Sequence, residues 1–340
     1  MYSVLSAKRH ASGNIGPSTA SARNRLSVGK VLNSRKAENK GSQILTMGQE
    51  GNRASCENVG RKRKIEDETC SGVKRACLEN ETCLEYLGGE NHGIAVLSIN
   101  RPSARNALSW KLVEDLQAAL DDVCVEEDVR CLVLTSQVQC VFCAGADLKE
   151  RALMSNENVL EFLKRLNHLV IALEELPVPV IAAVEGAALG GGLEIILGCD
   201  IRVGTTSSLF GLPETRLGVI PGAGGTVRLG GLVGWGRARQ MILTGHRVEG
   251  LQAEHWGLLN TCVADGMAHD RALEMARQVA EGAPLAVRMA MIAMRTAEDM
   301  DKEAALRMET SCYENILPSW DRMEGIRAWG ERRKPVFRGK

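Results

Sequence analysis

The chain has 340 residues, 44% of them hydrophobic and 25% charged, and its acidic and basic side chains balance at a formal net charge of zero. This is material for one large domain or two smaller ones with a sizeable core. Neutrality removes any global electrostatic reason to expect nucleic acid or an anionic membrane as partner, and no apolar run approaches the ~20 residues that span a bilayer.

The first stretch differs from the rest. Met1 to Ala37 holds no Asp or Glu, while Lys8, Arg9, Arg23, Arg25, Lys30, Arg35 and Lys36 are basic and serines are spread between them. With no uninterrupted apolar segment, this composition predicts an organellar transit peptide rather than a secretory signal. Residues 38 to about 83 stay polar without a period of two or of 3.6, which predicts a disordered linker. "GRKRK" at 60–64 has the look of a nuclear-localisation patch. A solvated charge run in a processed leader is the preferred reading. Residues 1–83 are therefore set apart as leader and linker.

From residue 84 strands and helices alternate. "IAVLSI" (94–99), "CLVLTS" (131–136), "PVIAAVEG" (179–186), "IRVGT" (201–205) and "LLNTCVA" (258–264) read as strands. "NALSWKLVEDLQAALDDV" (106–123) and "VLEFLKRLNHLVIALEEL" (159–176) carry apolar residues at helical spacing. Such alternation predicts an α/β fold of right-handed βαβ units with largely parallel sheets. It spans residues 84–265. Beyond about 266 the strands stop, and 266–340 reads as a helical region packing outside the core, on another subunit, or both.

Eleven cysteines are scattered, and Cys131, Cys199 and Cys262 fall in apolar runs where Cys acts as a small hydrophobe. The single CxxC, Cys140 to Cys143, has no second pair or nearby His, so a metal or redox role is not favoured. A reducing compartment fits. GxSxG, GxxxxGK[ST] and HExxH are absent, and "GAALGGG" and "PGAGGT" lack the dinucleotide-binding spacing.

What remains is carboxylates beside glycine-rich turns. In "GAALGGGLEIILGCD" (186–200) three glycines open a helix and Glu194 stands in its first turn. A helix start exposes unpaired N–H groups and a positive dipole end, where an oxygen gaining negative charge is stabilised. From this stretch alone, Glu194 as a mere helix cap weighs equally. "FGLPETRLG" (210–218) sets Glu214 after Pro213 at a helix-start position, and "FCAGADLKE" (142–150) opens a segment with Gly145 and Ala146 after a strand. Two N–H sites and two carboxylates are the parts for proton transfer next to a carbonyl.

At these residues the chain resembles the enoyl-CoA hydratase/isomerase (crotonase) superfamily over roughly residues 86–338, through "FCAGADLKE", "AALGGGLEIILGCDIRV", "FGLPETRLGVIPGAGGTVRL" and "DRMEGIRAWGERRKP". "FCAGADLKERALMS" and "VEGAALGGGLE" look most like the mitochondrial methylglutaconyl-CoA hydratase branch and its plant enoyl-CoA hydratase relatives. The resemblance implies a spiral of ββα turns, with a C-terminal helical region used in trimerisation and a homotrimer or homohexamer as the assembly. It further implies that the Ala146 and Gly191 amides form an oxyanion hole and that Glu194 and Glu214 are the catalytic acid–base pair. Ala104, Ala146, Asp147, Leu148, Lys149 and Gly191 would line the acyl-CoA path. No metal or redox cofactor is implied, since coenzyme A belongs to the substrate. The expected reaction is reversible hydration of 2-enoyl-CoA thioesters to 3-hydroxyacyl-CoA in β-oxidation, in the mitochondrial matrix. A Δ3,Δ2-enoyl-CoA isomerase and a methylglutaconyl-CoA-specific hydratase of leucine breakdown are the alternatives.

Two departures stand out. Leu212 precedes Pro213 where family hydratases often carry a polar residue. The 106–123 helix, corresponding to a lysine-rich helix in the RNA-binding member, instead sets Lys111 against Glu114, Asp115, Asp121 and Asp122. That helix repels phosphates, so no nucleic acid is expected as partner.

Overall fold

Two sheets organise the chain in the computed structural model, which describes residues 74–77 and 81–340. Its strands are β1 (Lys74–Cys77), β2 (Thr82–Tyr86), β3 (Ile94–Ile99), β4 (Cys131–Ser136), β5 (Val141–Cys143), β6 (Val180–Val184), β7 (Ala187–Leu189), β8 (Ile201–Thr205), β9 (Leu209–Gly211), β10 (Arg247–Glu249) and β11 (Thr261–Val263). Its helices are α1 (Trp110–Val125), α2 (Leu148–Arg151), α3 (Asn156–Glu175), α4 (Gly191–Leu197), α5 (Gly225–Val233), α6 (Trp235–Thr244), α7 (Gly250–Trp256), α8 (Ala268–Ala280), α9 (Pro284–Asp299), α10 (Lys302–Ile316) and α11 (Trp320–Gly330).

The seven-stranded sheet runs β1-β2-β3-β4-β6-β8-β11, antiparallel at its first two pairings and parallel from β3 onward. The four-stranded sheet runs β10-β9-β7-β5. Successive stretches of chain place one strand in each sheet and then turn into helix: β4, β5 and α2–α3; β6, β7 and α4; β8, β9 and α5–α6. This is the expected ββα spiral. Strands β3 and β6 are buried throughout, as parallel strands covered on both faces must be. One core packs Leu97, Leu134, Phe142, Phe162, Leu169 and Phe210 between the sheets and helices. A second sets Val96, Val133 and Val203 against Ala268, Ala272 and Ala276 of α8.

Several expectations shift. The antiparallel hairpin of β1 and β2 begins the sheet inside the stretch read as linker, ahead of residue 84. The leader and "GRKRK" lie outside the described residues. Helix α1 starts at Trp110 rather than 106, because Arg105 and Asn106 adopt left-handed φ of 52° and 54° and Ser109 caps the helix by accepting from the Leu112 amide. "PVIAAVEG" ends as a strand at Val184, after which Gly186 turns the chain at φ 75° into the second sheet. A Cβ there would stand 1.9 Å from the Cys140 carbonyl oxygen, so only glycine fits.

Candidate active site

Three strand ends of the smaller sheet carry the candidate residues. Strand β5 leads through Gly145 (φ 95°) to Ala146, β7 leads through Gly190 to Gly191, and β9 leads through Leu212 and Pro213 to Glu214. Parallel pairing of β5 with β7 and of β7 with β9 puts those ends side by side. A Cβ on Gly145 would stand 3.6 Å from the Gly191 nitrogen, and one on Gly190 2.9 Å from Glu214 Oε1. Ala146, the α4 start that bears Gly191 and Glu194, and Glu214, distant in sequence, thus converge. Among the described residues, neither the Ala146 nor the Gly191 amide has a hydrogen-bond acceptor. Gly191 heads α4, where an unpaired amide is ordinary. Ala146 sits in a bridge to Leu108, whose own amide and carbonyl are engaged by Gly145 and Asp147.

The two glutamates have unlike surroundings. Glu194 is buried on α4, and its Oε1 accepts from the amides of Ala223 and Gly225, each at 2.8 Å. Burial pushes its carboxyl above the ordinary value, while the Gly225, Ala223 and Gly222 amides and the Arg228 guanidinium pull it back. Glu214 opens a 3-10 turn (Glu214–Leu217) rather than an α-helix. Its buried Oε2 has no hydrogen-bond partner. Burial and then the Glu194 charge push this carboxyl up to about 7. One group is fed by donors that favour the anion, and the other is fit to hold a proton near neutrality.

The remaining predicted residues divide. Asp147 caps α2, accepting from the Lys149 and Glu150 amides, and bonds Arg101 Nη1 at 2.8 Å. Against burial, the Arg101 hydrogen bond and the Glu150 amide hold its carboxyl below the ordinary value. Its side chain is taken up in fixing the loop that bears Ala146. Leu148 and Lys149 are exposed beside it. Ala104 ends a 3-10 turn (Pro102–Ala104), and the next carbonyl, of Arg105, accepts from the Ala144 amide at 3.1 Å, which brings that turn against the Ala146 loop.

Sequence reasoning missed Asn106, Arg101, Ala223 and Gly225. Buried Asn106 laces the 101–109 loop to β5 through Phe142 O at 2.9 Å and to Ser136 Oγ at 2.8 Å. Its signal was an Asn ahead of a helix, a residue tolerant of left-handed φ. Leu212 is fully buried, and a Cβ on Gly225 would meet its Cδ1 at 2.9 Å. The departure at that position is a packing residue against the loop that grips Glu194. Among the described residues, no group of three or more His, Cys, Asp or Glu is placed to hold a metal.

The family model described as enoyl-CoA hydratase/isomerase matches residues 89–340. An Arabidopsis thaliana protein named "Probable enoyl-CoA hydratase 2, mitochondrial" is 42% identical over 256 residues, covering 75% of this chain and 85% of that protein. The human "Methylglutaconyl-CoA hydratase, mitochondrial" is 40% identical, covering 77% of this chain and 78% of its own. A crystal structure of enoyl-CoA hydratase from Bacillus anthracis superposes with a TM-score of 0.74 at 39% identity, over 77% of this chain and all of that one.

Proposed function

We propose, from the premise that this chain belongs to the enoyl-CoA hydratase/isomerase family, that its four convergent groups hydrate 2-enoyl-CoA thioesters to 3-hydroxyacyl-CoA. The Ala146 and Gly191 amides receive the thioester oxygen as enolate character develops at the α-carbon. Glu194 takes a proton from water, which attacks the β-carbon, and Glu214 delivers its proton to the α-carbon. In dehydration the two exchange roles. The observation that carries this reading is the asymmetry of the pair: two amides hold Glu194 Oε1, whereas Glu214 Oε2 is buried and unpartnered. An isomerase needs one carboxylate to shuttle a proton, and the second glutamate favours hydration.

Ala104, Leu148 and Lys149 flank the acyl-CoA approach, and no cofactor beyond the substrate's own coenzyme A enters the reaction. The mitochondrial matrix and β-oxidation are the proposed setting; of this, the names of the plant and human relatives support the mitochondrion. A homotrimer or homohexamer is supported by apolar side chains exposed on the last two helices, among them Tyr313, Trp320, Met323, Ile326 and Trp329.

Glu214→Gln tests the mechanism. It keeps the side chain's shape and removes its proton chemistry, so crotonyl-CoA hydration falls on the order of 10²–10⁴-fold with the circular-dichroism spectrum unchanged. Turnover within a few-fold of the native enzyme contradicts the paired mechanism. Crotonyl-CoA, methylglutaconyl-CoA and a 3-enoyl-CoA assayed side by side distinguish the general hydratase from the two alternatives.

A further inference from the structure

The turn that grips Glu194 is itself held from outside the site. In the peptide joining Gly222 and Ala223, the N–H donates to Glu194 Oε1 at 2.8 Å and the C=O accepts from Asn167 Nδ2 at 2.7 Å. The carbonyl of the next peptide, that of Ala223, accepts from Arg228 Nη1 at 3.1 Å, and the Gly225 amide of the peptide after it also donates to Glu194 Oε1. Arg228 therefore holds the carbonyl that lies between the two donating amides. Glu174 fixes the guanidinium by a two-point ion pair, Nη2 to Oε2 at 2.6 Å and Nε to Oε1. Asn167 and Glu174 are seven residues apart on α3, so one helix face supplies both anchors. Gly224, at φ 97°, leaves room for this: a Cβ there would stand 1.6 Å from Arg228 Nη1.

We infer that Arg228, clamped by Glu174, is a positioning residue for the hydration reaction. It fixes the 222–225 turn so that both amides meet one oxygen of Glu194, and it keeps a positive charge facing that carboxylate. This rests on the proposed role of Glu194. An ion pair that merely tied α3 to α5 would have no reason to engage the carbonyl between those two amides. The charged groups facing Glu194 are Arg228 from α5 and Glu214 from the 3-10 turn, with Glu174 of α3 behind the guanidinium.

The test follows crotonyl-CoA hydration by the full chain from about pH 5 to about pH 9. Arg228→Met removes both the grip and the charge. Its kcat falls on the order of tenfold to a hundredfold, its KM changes by less than about threefold because the Ala146 and Gly191 amides are untouched, and its acid limb moves to higher pH. Arg228→Lys restores the charge without the fork and returns the limb toward its native position. Glu174→Gln keeps the cation while removing an anion, so kcat falls and the limb moves to lower pH; this arm decides the matter if Arg228→Met does not fold. An acid limb that stays in place in folded Arg228→Met, or moves upward in Glu174→Gln, overturns the inference. Glu194→Gln separates the two failures. Survival of turnover there sinks the proposed function itself, whereas its loss beside an unmoved Arg228→Met limb sinks only the positioning role.

Discussion

Gly190→Ala probes how closely Glu214 must be placed. Gly190 adopts φ 53° and ψ −127°, a backbone state that L side chains rarely enter, and its amide donates to Gly211 O at 2.9 Å, tying β7 to β9. A methyl group there costs about 1–3 kcal/mol in backbone strain, which lowers Tm by about 2–12 °C for a fold of this size. The same methyl would stand 2.9 Å from Glu214 Oε1. Restoring ordinary contact moves that oxygen by about 0.5 Å, and because a misplacement of about 1 Å costs on the order of 10²-fold, kcat falls about tenfold. The assay is the loss of enoyl-thioester ultraviolet absorbance with crotonyl-CoA, paired with a thermal melt on the same preparation. A variant with lowered Tm and native kcat would refute the claim that turnover depends on where Glu214 sits.

Three further outcomes concern charge and capping. Glu214 holds its proton up to about pH 7 when folded against an ordinary value of 4.5, so its stabilising contribution is complete below 4.5 and is lost as pH rises through about 7. Glu214→Gln therefore gains Tm relative to the native chain across that window, and a Tm difference independent of pH contradicts the raised value. The same proton loss makes native hydration decline above about pH 7, read as the alkaline limb of kcat. Asp147→Ala removes the α2 cap and one partner of Arg101, costing about 1 kcal/mol and loosening the Ala146 loop; a melt shows the first, and a drop in kcat at unchanged pH profile shows the second.

Long elements were legible and short ones were not. Strands 94–99 and 131–136 form at those residues because buried parallel strands are near-continuous apolar runs, and 201–205 forms as read although Arg202 interrupts its apolar residues. The second sheet went unread because its strands are three residues each, too short for any period, and two of them lie inside glycine-rich stretches already taken for turns. The convergence of Ala146, Gly191, Glu194 and Glu214 depends on that sheet, so periodicity gave the parts and the motif resemblance gave their grouping. A Cβ on Gly191 would meet Leu108 Cδ1 at 2.8 Å, so packing between the loop and α4 also favours glycine there. The structural use of the Asp147 carboxylate was not legible either: three donors surround it, the Lys149 and Glu150 amides and Arg101 Nη1. The turn at 222–225 was legible as a glycine pattern it lacks and as part of a matched motif, but its hold on Glu194 was not, since nothing in one sequence says which carboxylate a turn's amides will meet.

The unpaired amides of Ala146 and Gly191 divide the inheritance of the site into two kinds. Main-chain N–H groups are the same whichever side chain is attached, so apart from proline a codon change at either position leaves the donor in the chain. What aims those donors is the path of three adjacent strand ends. The proton-handling half is the opposite case, being two side chains that a single nucleotide substitution can delete. On the proposed mechanism, a drifting copy of this protein would therefore forfeit its acid–base chemistry long before its grip on a thioester carbonyl, and would pass through a stage of binding acyl thioesters without turning them over.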